Sequence, residues 1–303
     1  MHRKIKIILN PMADMGNAWR VARDLRSITE EHGGIEWSGT VYPGHAIELA
    51  KHSEGYDLVI AMGGDGTVHE VMNGLMQIPE NKRPILGVVP VGSGNDFGHG
   101  IAASRTPTEA LKRAIHGEPS TVDLGLMTDT HGRREYFDNT LGIGFGAIVT
   151  IRSHRLPFLR GFLMYLTAVL QAILLDHNPI SMKIETDTET WEQKVIYLVL
   201  CNGPREGGGF LIAPEAKIDD GIFHYAMITD VSRAMMFRIV PEVMKGTHGR
   251  FKQVKMGTCK KFSIKADRPL YIHADGEIFS GPGTDLRAVS FEILPNALKV
   301  VRG

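Results

Sequence analysis

Along the first 125 residues the hydrophobic positions follow two periods in turn. Short apolar runs at Lys4–Asn10, Ile35–Tyr42, Tyr56–Met62 and Ile85–Val89 read as strands, and the first and third read as buried ones. Between them Ala18–Glu31, Gly44–Ser53, Thr67–Met76 and Thr108–His116 carry apolar residues at three- and four-residue spacing and read as helices. Gly33-Gly34 closes the first helix, and Pro107 stands at the start of the last. Strands alternating with helices predict a mainly parallel sheet with helices on its faces.

After Asp123 the texture changes. Strand-like runs become frequent: Glu135–Thr140, Ser181–Thr186, Lys194–Cys201, Ile222–Ile228, Lys261–Ala266, Leu270–Ala274 and Ala288–Ile293. Phe158–Asp176 and Ser232–Lys245 are the clear helices of this part. The expectation is an α/β N-terminal domain over residues 1–125 and a β-rich, sandwich-like domain over 126–285. The segment Phe162–Leu175 is apolar but for Tyr165, Thr167 and Gln171, and is too short for the ~20 residues that span a bilayer.

Composition narrows the function classes. The 303 residues hold 34 Lys plus Arg against 34 Asp plus Glu, so a general nucleic-acid footprint is not expected. Two cysteines, Cys201 and Cys259, make neither a disulfide framework nor a zinc motif, and the 13 histidines lack metal-ligand spacing. A histidine such as His273 reads as structural rather than as a ligand. Met1-His2-Arg3-Lys4-Ile5-Lys6 has charge without a long apolar run, so no secretory signal is expected and a cytoplasmic setting is.

Four loops carry candidate chemistry. The stretch Gly63-Gly64-Asp65-Gly66-Thr67 follows an apolar strand and opens a helix. Glycines let backbone N–H groups come close to phosphate, and a helix N-terminus favours negative charge. Asp65 beside bare phosphate calls for a cation between them, which magnesium supplies. Gly92-Ser93-Gly94-Asn95-Asp96 follows the next strand, so it belongs at the same sheet edge, where open α/β sheets bind ligands. Ser93 can donate to phosphate, and Asn95 can fix the loop. Asn10, after the first strand, can touch nucleotide or brace the neighbouring loop. The fourth loop is His273-Ala274-Asp275-Gly276-Glu277, where a carboxylate could accept the proton of an attacking hydroxyl. Gly142-Ile143-Gly144-Phe145-Gly146 lacks dinucleotide spacing and carries little weight as a cofactor site.

Taken together, the sequence resembles the diacylglycerol kinase catalytic-domain family, especially bacterial soluble lipid kinases of the diacylglycerol and YegS-like type, and is similar to sphingosine kinases. The motifs are Asn10-Pro11, Gly44-His45-Ala46, the run from Gly63 to Gly74, Pro90 to Phe97, Asp219-Asp220-Gly221 and Asp275-Gly276-Glu277. The resemblance implies an N-terminal nucleotide domain completed by residues 286–303, a β-rich lipid-substrate domain, and an active site between them. It implies ATP around Thr40, Gly63, Gly64, Asp65, Gly66, Thr67, Val68, His69 and Ser93, with Asn10, Gly92 and Asn95 in the same loops. Glu277 would be the proton acceptor with Asp275 beside it, Asp65 would handle Mg2+ partly through water, and Asp123 would sit near the site. Lys217, Asp220 and Ile222 would hold a second, structural Mg2+, partly through backbone carbonyls.

The implied reaction is transfer of the γ-phosphoryl group of ATP to a lipid hydroxyl, on diacylglycerol, phosphatidylglycerol, a sphingoid base or a long-chain prenol. The rival readings are a kinase of a soluble substrate, as in NAD kinases, and a non-catalytic nucleotide-binding regulator. Against the first, Asn202 is followed by Gly203 rather than Glu; against the second, Asp65, Asp275 and Glu277 are all present. The implied partners are the lipid, a transiently touched anionic membrane surface and a second copy in a homodimer, with no nucleic acid. Two basic stretches are candidates for the membrane contact. No acid occurs between Glu242 and Asp267, where Lys245, Arg250, Lys252, Lys255, Lys260, Lys261 and Lys265 lie, and Arg152–Arg160 mixes arginine with apolar residues.

Overall fold

The alternating pattern of the N-terminal part is realised as β1 (Ile5–Leu9), α1 (Asn17–Asp24), α2 (Arg26–His32), β2 (Ile35–Gly39), α3 (His45–Lys51), β3 (Leu58–Gly63), α4 (Asp65–Leu75), β4 (Ile85–Pro90), α5 (Asp96–Gly100) and α6 (Pro107–His116). The computed structural model from which this is read describes residues 3–104, 106–156 and 158–303. Met1 and His2 of the N-terminal hexapeptide, and Pro157 of the basic–apolar stretch, lie outside them. By contacts the chain divides into two units, residues 1–122 with 296–303, and residues 123–295.

In the first unit β2, β1, β3 and β4 pair in that order, all parallel, with Ile7 opposite Trp37 and Ile60, and Ile60 opposite Gly87. Every residue of β1 and β3 is buried, as expected where helices cover both faces of a parallel sheet. Ile5, Ile7, Leu58, Ile60 and Met62 form one core with Ala18, Ala22 and Leu25, and with Ala110, Leu111 and Ala114 of α6. The helix expected over Ala18–Glu31 is two helices. They meet at Leu25, which takes φ −89° and ψ −5° and whose side chain is buried.

Strand β5 (Pro119–Asp129) runs from the first unit into the second. There follow β6 (Arg134–Phe137), β7 (Thr140–Gly144), α7 (Phe145–Ser153), α8 (Gly161–Leu175), β8 (Ile180–Thr186), β9 (Thr190–Cys201), β10 (Phe223–Thr229), α9 (Arg233–Lys245), β11 (Val254–Cys259), β12 (Lys261–Ala266), β13 (Ile272–Ala274), β14 (Glu277–Ser280) and β15 (Ala288–Val301). Pairing within the second unit is antiparallel, with β9 joined to β7, β8 and β10, and β13 to β7 and β14. One core lies among the strands around Phe137, Phe223, Phe262 and Phe291. A second gathers Ala168, Ala172 and Ile173 of α8 and Met236 and Ile239 of α9 against Val199 and Cys201 of β9. Cys201 and Cys259 are both buried and free. Strand β15 returns to the first unit, where Val300 pairs in parallel with Leu86 of β4.

The single strand expected over Glu135–Thr140 is two, β6 and β7. The interruption at Asp138-Asn139 has a physical cause: the N–H groups of Asp138, Asn139 and Thr140 all donate to the side chain of Asp275.

Candidate active site

In the first unit three strands of the parallel sheet end in the three N-terminal candidate loops. Asn10 follows β1, donates from its own N–H to the Met62 carbonyl at 3.0 Å, and donates from Nδ2 to Thr67 Oγ1 at 3.2 Å. Its Oδ1 accepts from the Met12 N–H at 3.0 Å. Asn10 therefore braces the turn after β3. Gly63 ends β3, Gly64 precedes α4, and Asp65 is the first residue of that helix. The loop after β4 lies directly on this turn. A Cβ on Gly92 would stand 2.5 Å from the Gly64 Cα, a distance that real side chains do not adopt. Asn95 holds that loop in shape: its Oδ1 accepts from the Gly92 N–H at 3.0 Å, and its Nδ2 donates to the Gly92 carbonyl at 2.7 Å.

Asp65 sits where the two glycine loops meet. Its Oδ1 accepts from the Phe97 N–H at 3.4 Å, and a Cβ on Gly94 would come within 2.8 Å of its Oδ2. The space beside that oxygen is thus kept by a glycine, which fits an oxygen-ligated cation. Ser93 is exposed in the same loop, and Gly66 is in the first turn of α4. Thr40 follows β2 and donates its N–H to the Leu9 carbonyl at 2.8 Å. Thr67, Val68 and His69 are buried on α4, and the Asn73 Nδ2 donates to the His69 carbonyl at 3.0 Å.

Glu70 is a residue that the sequence reading left without a role. Its two oxygens accept from the N–H groups of Gly44 at 2.8 Å and Ala46 at 3.1 Å, capping α3 from another helix. The spacing of Glu70 from Asp65 was visible in the sequence, but its partner is 26 residues away in the chain.

In the second unit the turn between β13 and β14 carries Asp275, Gly276 and Glu277, and its two carboxylates differ sharply. Asp275 is buried with φ +51°. Its Oδ1 accepts from Asn139 at 2.9 Å and Thr140 at 3.0 Å, its Oδ2 accepts from Asp138 at 3.0 Å, and its own N–H donates to the Thr140 carbonyl at 2.8 Å. Glu277 is exposed at the start of β14.

Polar groups connect this turn to the residues implied for a structural cation. Asn202 donates from Nδ2 to the carbonyls of Asp138 at 2.8 Å and Asp123 at 2.9 Å. Asp123, fully buried, accepts from the Gly221 N–H at 2.6 Å, and its own N–H donates to the Ile218 carbonyl at 2.7 Å. Asp123 is thereby tied to the turn of Lys217, Asp220 and Ile222. Asp220 Oδ1 accepts from the Ile222 N–H at 3.3 Å, and its Oδ2 lies 3.1 Å from His224 Nε2. Each oxygen keeps a lone pair, so one carboxylate plus backbone carbonyls remains a workable donor set for a hard cation. Among the described residues no group of three His, Cys, Asp or Glu side chains could hold a metal.

Beneath the Asp275 turn is a buried pair that the sequence did not announce. His273 Nε2 lies 3.1 Å from Glu206 Oε1, and both side chains are out of solvent. Tyr165 and Tyr197 donate their hydroxyls to the same carboxylate at 2.7 and 3.1 Å. Burial pushes the Glu206 carboxyl up, but His273 and the two hydroxyls outweigh it and hold the group below the usual carboxylate range. The glycines of 142–146 are explained here. A Cβ on Gly142 would collide with His273 Nε2, and one on Gly146 would stand 2.6 Å from the Tyr197 ring. They make room for a buried imidazole rather than for a dinucleotide.

The basic run of 245–265 is partly committed elsewhere. Lys245 and Arg250 lie 3.7 and 2.9 Å from Glu242 Oε1, and Lys255 lies 2.9 Å from Glu189 while its ammonium stands over the Trp191 ring.

A parallel α/β unit with paired glycine loops and an aspartate at a helix start, followed in the chain by an antiparallel β unit with a carboxylate turn, defines a nucleotide-dependent kinase class. Residues 4–127 match the diacylglycerol kinase catalytic domain, and residues 139–302 match the YegS C-terminal NAD kinase beta sandwich-like domain. A probable lipid kinase YegS-like protein of Yersinia pestis (strain Pestoides F) is 31% identical over 90% of this chain and 84% of its own length. One from Chromohalobacter salexigens is 36% identical over 64% of this chain, and the match spans 60% of that protein. A crystal structure of a diacylglycerol kinase from Bacillus anthracis str. Sterne superposes with a TM-score of 0.72 at 20% identity, covering 99% of this chain and 97% of that one. Another structure from the same organism superposes at 0.79, with 22% identity and the same coverage. The chain belongs to the YegS-like lipid kinase family with a diacylglycerol kinase catalytic domain.

Proposed function

We propose that this chain transfers the γ-phosphoryl group of ATP to the hydroxyl of a lipid, with Mg2+ as the required cation. The observation that carries the reading is the meeting of Gly64, Gly92 and Gly94 around Asp65 at the carboxyl ends of the parallel strands. Backbone without side chains there admits phosphate, and the start of α4 turns its N–H groups and dipole toward it. Asp65 would hold the nucleotide-bound Mg2+, directly or through water, with Ser93 donating to a phosphate oxygen. The cation would neutralise charge on the phosphates as the bond to the leaving oxygen lengthens.

The second unit supplies the proton acceptor. Asp275 is buried and its oxygens accept from three backbone N–H groups, so its part is to hold residues 138–140 in shape rather than to meet a lipid hydroxyl. Glu277, exposed four residues after the buried His273, is the group that takes the hydroxyl proton as the new P–O bond forms. The Lys217–Ile222 turn with Asp123 would hold a second cation whose part is to keep that turn in shape. The lipid itself is of the class with a free hydroxyl near an acyl or alkyl tail. The kinase works at an anionic membrane surface without entering it, and no helix of the described residues is long and apolar enough to cross one.

Incubation with γ-labelled ATP and a total lipid extract, followed by identification of the labelled product, tests the reading. A labelled lipid is expected, and Asp65→Ala should lower its formation ~100-fold or more, the usual cost of one electrostatic element in the transition state. Label appearing only in a water-soluble product, or undiminished turnover in Asp65→Ala, would overturn it.

A further inference from the structure

Helix α8 turns apolar side chains in two opposite directions. Ala168, Val169, Ala172 and Ile173 enter the core of the second unit. Leu163, Leu170 and Leu174 fall within roughly 20° of a common line along the helix, nearly opposite Ala172. They are 64%, 38% and 57% exposed. Phe158, 98% exposed, and Leu159 lead into the same helix, and Leu175 ends it exposed. A helix that is apolar all round is ordinarily buried on every side, and leucines on the outer side at helical spacing differ from the scattered exposed ones that every surface carries.

Basic residues predominate around this face. No Asp or Glu occurs from Thr140 to Leu175, while Arg155 and Arg160 are exposed beside Phe158. Arg152 is occupied by Asp176. Helix α9 packs on α8 and adds Arg233, Arg238 and the exposed Phe237, with no acid between Asp230 and Glu242. Arg233 donates from Nε to the Ile173 carbonyl at 3.2 Å, which anchors the two helices to each other.

We propose that Phe158, Leu159, Leu163, Leu170 and Leu174, flanked by Arg155 and Arg160, dock this unit onto the surface of an anionic bilayer. The inference rests on the lipid-kinase reading and names the surface through which it operates. Leucines reach the acyl boundary while arginines meet phosphate headgroups, the pattern of a helix lying in the interface plane. Fifteen helical residues extend ~22 Å, short of a ~30 Å hydrocarbon core, so the helix lies on the bilayer rather than across it. A second copy is the poorer occupant: a two-fold contact through this face would bring the exposed Arg155 and Arg160 of both copies together, and the one acid at its end, Asp176, is already engaged by Arg152.

Flotation of the full chain with phosphatidylcholine vesicles, with and without phosphatidylglycerol, tests the proposal. The chain should float with the phosphatidylglycerol vesicles, and less so as salt is raised. Leu163→Gln with Leu170→Gln should weaken partitioning by roughly tenfold or more, and Arg155→Gln with Arg160→Gln should remove its dependence on phosphatidylglycerol and salt. Arg250→Gln with Lys255→Gln should leave flotation unchanged. All these side chains are exposed or partly so, and circular dichroism melts should show each variant folded. Phosphorylation of a short-chain diacylglycerol in free solution separates the two readings. If the wild type phosphorylates it but does not float, or the leucine variant floats as well as the wild type, docking is overturned while the lipid-kinase reading stands. If no lipid alcohol is phosphorylated, that reading falls, and flotation still decides the docking. A wild-type dimer that becomes monomeric in the leucine variant assigns the face to a second copy and overturns the proposal.

Discussion

Replacing Asp275 by Asn and, separately, Glu277 by Gln should produce two different failures. The amide in Asp275→Asn retains one oxygen, which can keep the bonds from Asn139 and Thr140 in weaker, uncharged form. Its NH2 then faces the Asp138 N–H, so one charge-assisted bond is lost and a buried donor is left unmet. The lost bond is worth ~2 kcal/mol and the unmet donor costs ~1–3 kcal/mol, together about 3–5 kcal/mol. The φ of +51° does not enter, because Asn adopts that region as readily as Asp. For a domain of this size the change lowers Tm by roughly 6–20 °C. Glu277→Gln removes a proton acceptor from an exposed position, so Tm should stay within ~2 °C while turnover at saturating ATP falls ~100-fold or more. Thermal melts by circular dichroism and steady-state lipid phosphorylation on the same preparations give both numbers. The assignment fails if Asp275→Asn melts like the wild type and is inactive while Glu277→Gln turns over normally.

Gly92→Ala would set a methyl group 2.5 Å from the Gly64 Cα, so the two loops must part, and ATP affinity measured by titration should fall roughly tenfold or more. Glu70→Ala leaves the Gly44 and Ala46 N–H groups without their acceptor, and should cost ~2–3 kcal/mol in denaturant melts while KM for ATP moves little. Glu206, held below the usual carboxylate range, contributes stability that is present above the ordinary Glu value of about 4.3 and is lost as pH falls through its lower folded value. Melts of the wild type should therefore decline in acid, and Glu206→Gln should be less stable near neutrality with a flatter acid limb.

The sequence carried the parallel sheet because its strands are buried on both sides, leaving uninterrupted runs such as Leu58–Met62 that nothing else in the first unit imitates. It carried most of the second unit's strands for the opposite reason, since alternation is strong where one face is wet, as in Ile180–Thr186. It did not carry α7, whose opening glycines serve His273 and Tyr197 rather than the helix, or β11, where Lys255, Gly257 and Thr258 leave little apolar alternation to read. The break between β6 and β7 was invisible because its cause, the Asp275 carboxylate, lies more than 130 residues further along.

The candidate site shows the same division more sharply, because one motif can serve two purposes. In the run from Gly63 to Gly74, Gly64 and Asp65 face the neighbouring glycine loop, whereas Glu70 caps α3 and Gly74 lets α3 approach α4 so closely that a Cβ would meet the Ala50 side chain at 2.7 Å. Spacing cannot separate these purposes, since both demand fixed residue types at fixed intervals. What separates them is where each polar group finds its partner. Asp275 and Glu277 make the point within one turn: equal in chemistry and two positions apart, they differ because three backbone N–H groups converge on the first and the second begins a strand in solvent. Convergence of that kind commits Asp275 to holding the backbone of residues 138–140 and leaves Glu277 as the carboxylate of the turn that faces solvent. What tells the two carboxylates apart is therefore the path of residues 138–140, a segment that carries no motif of its own.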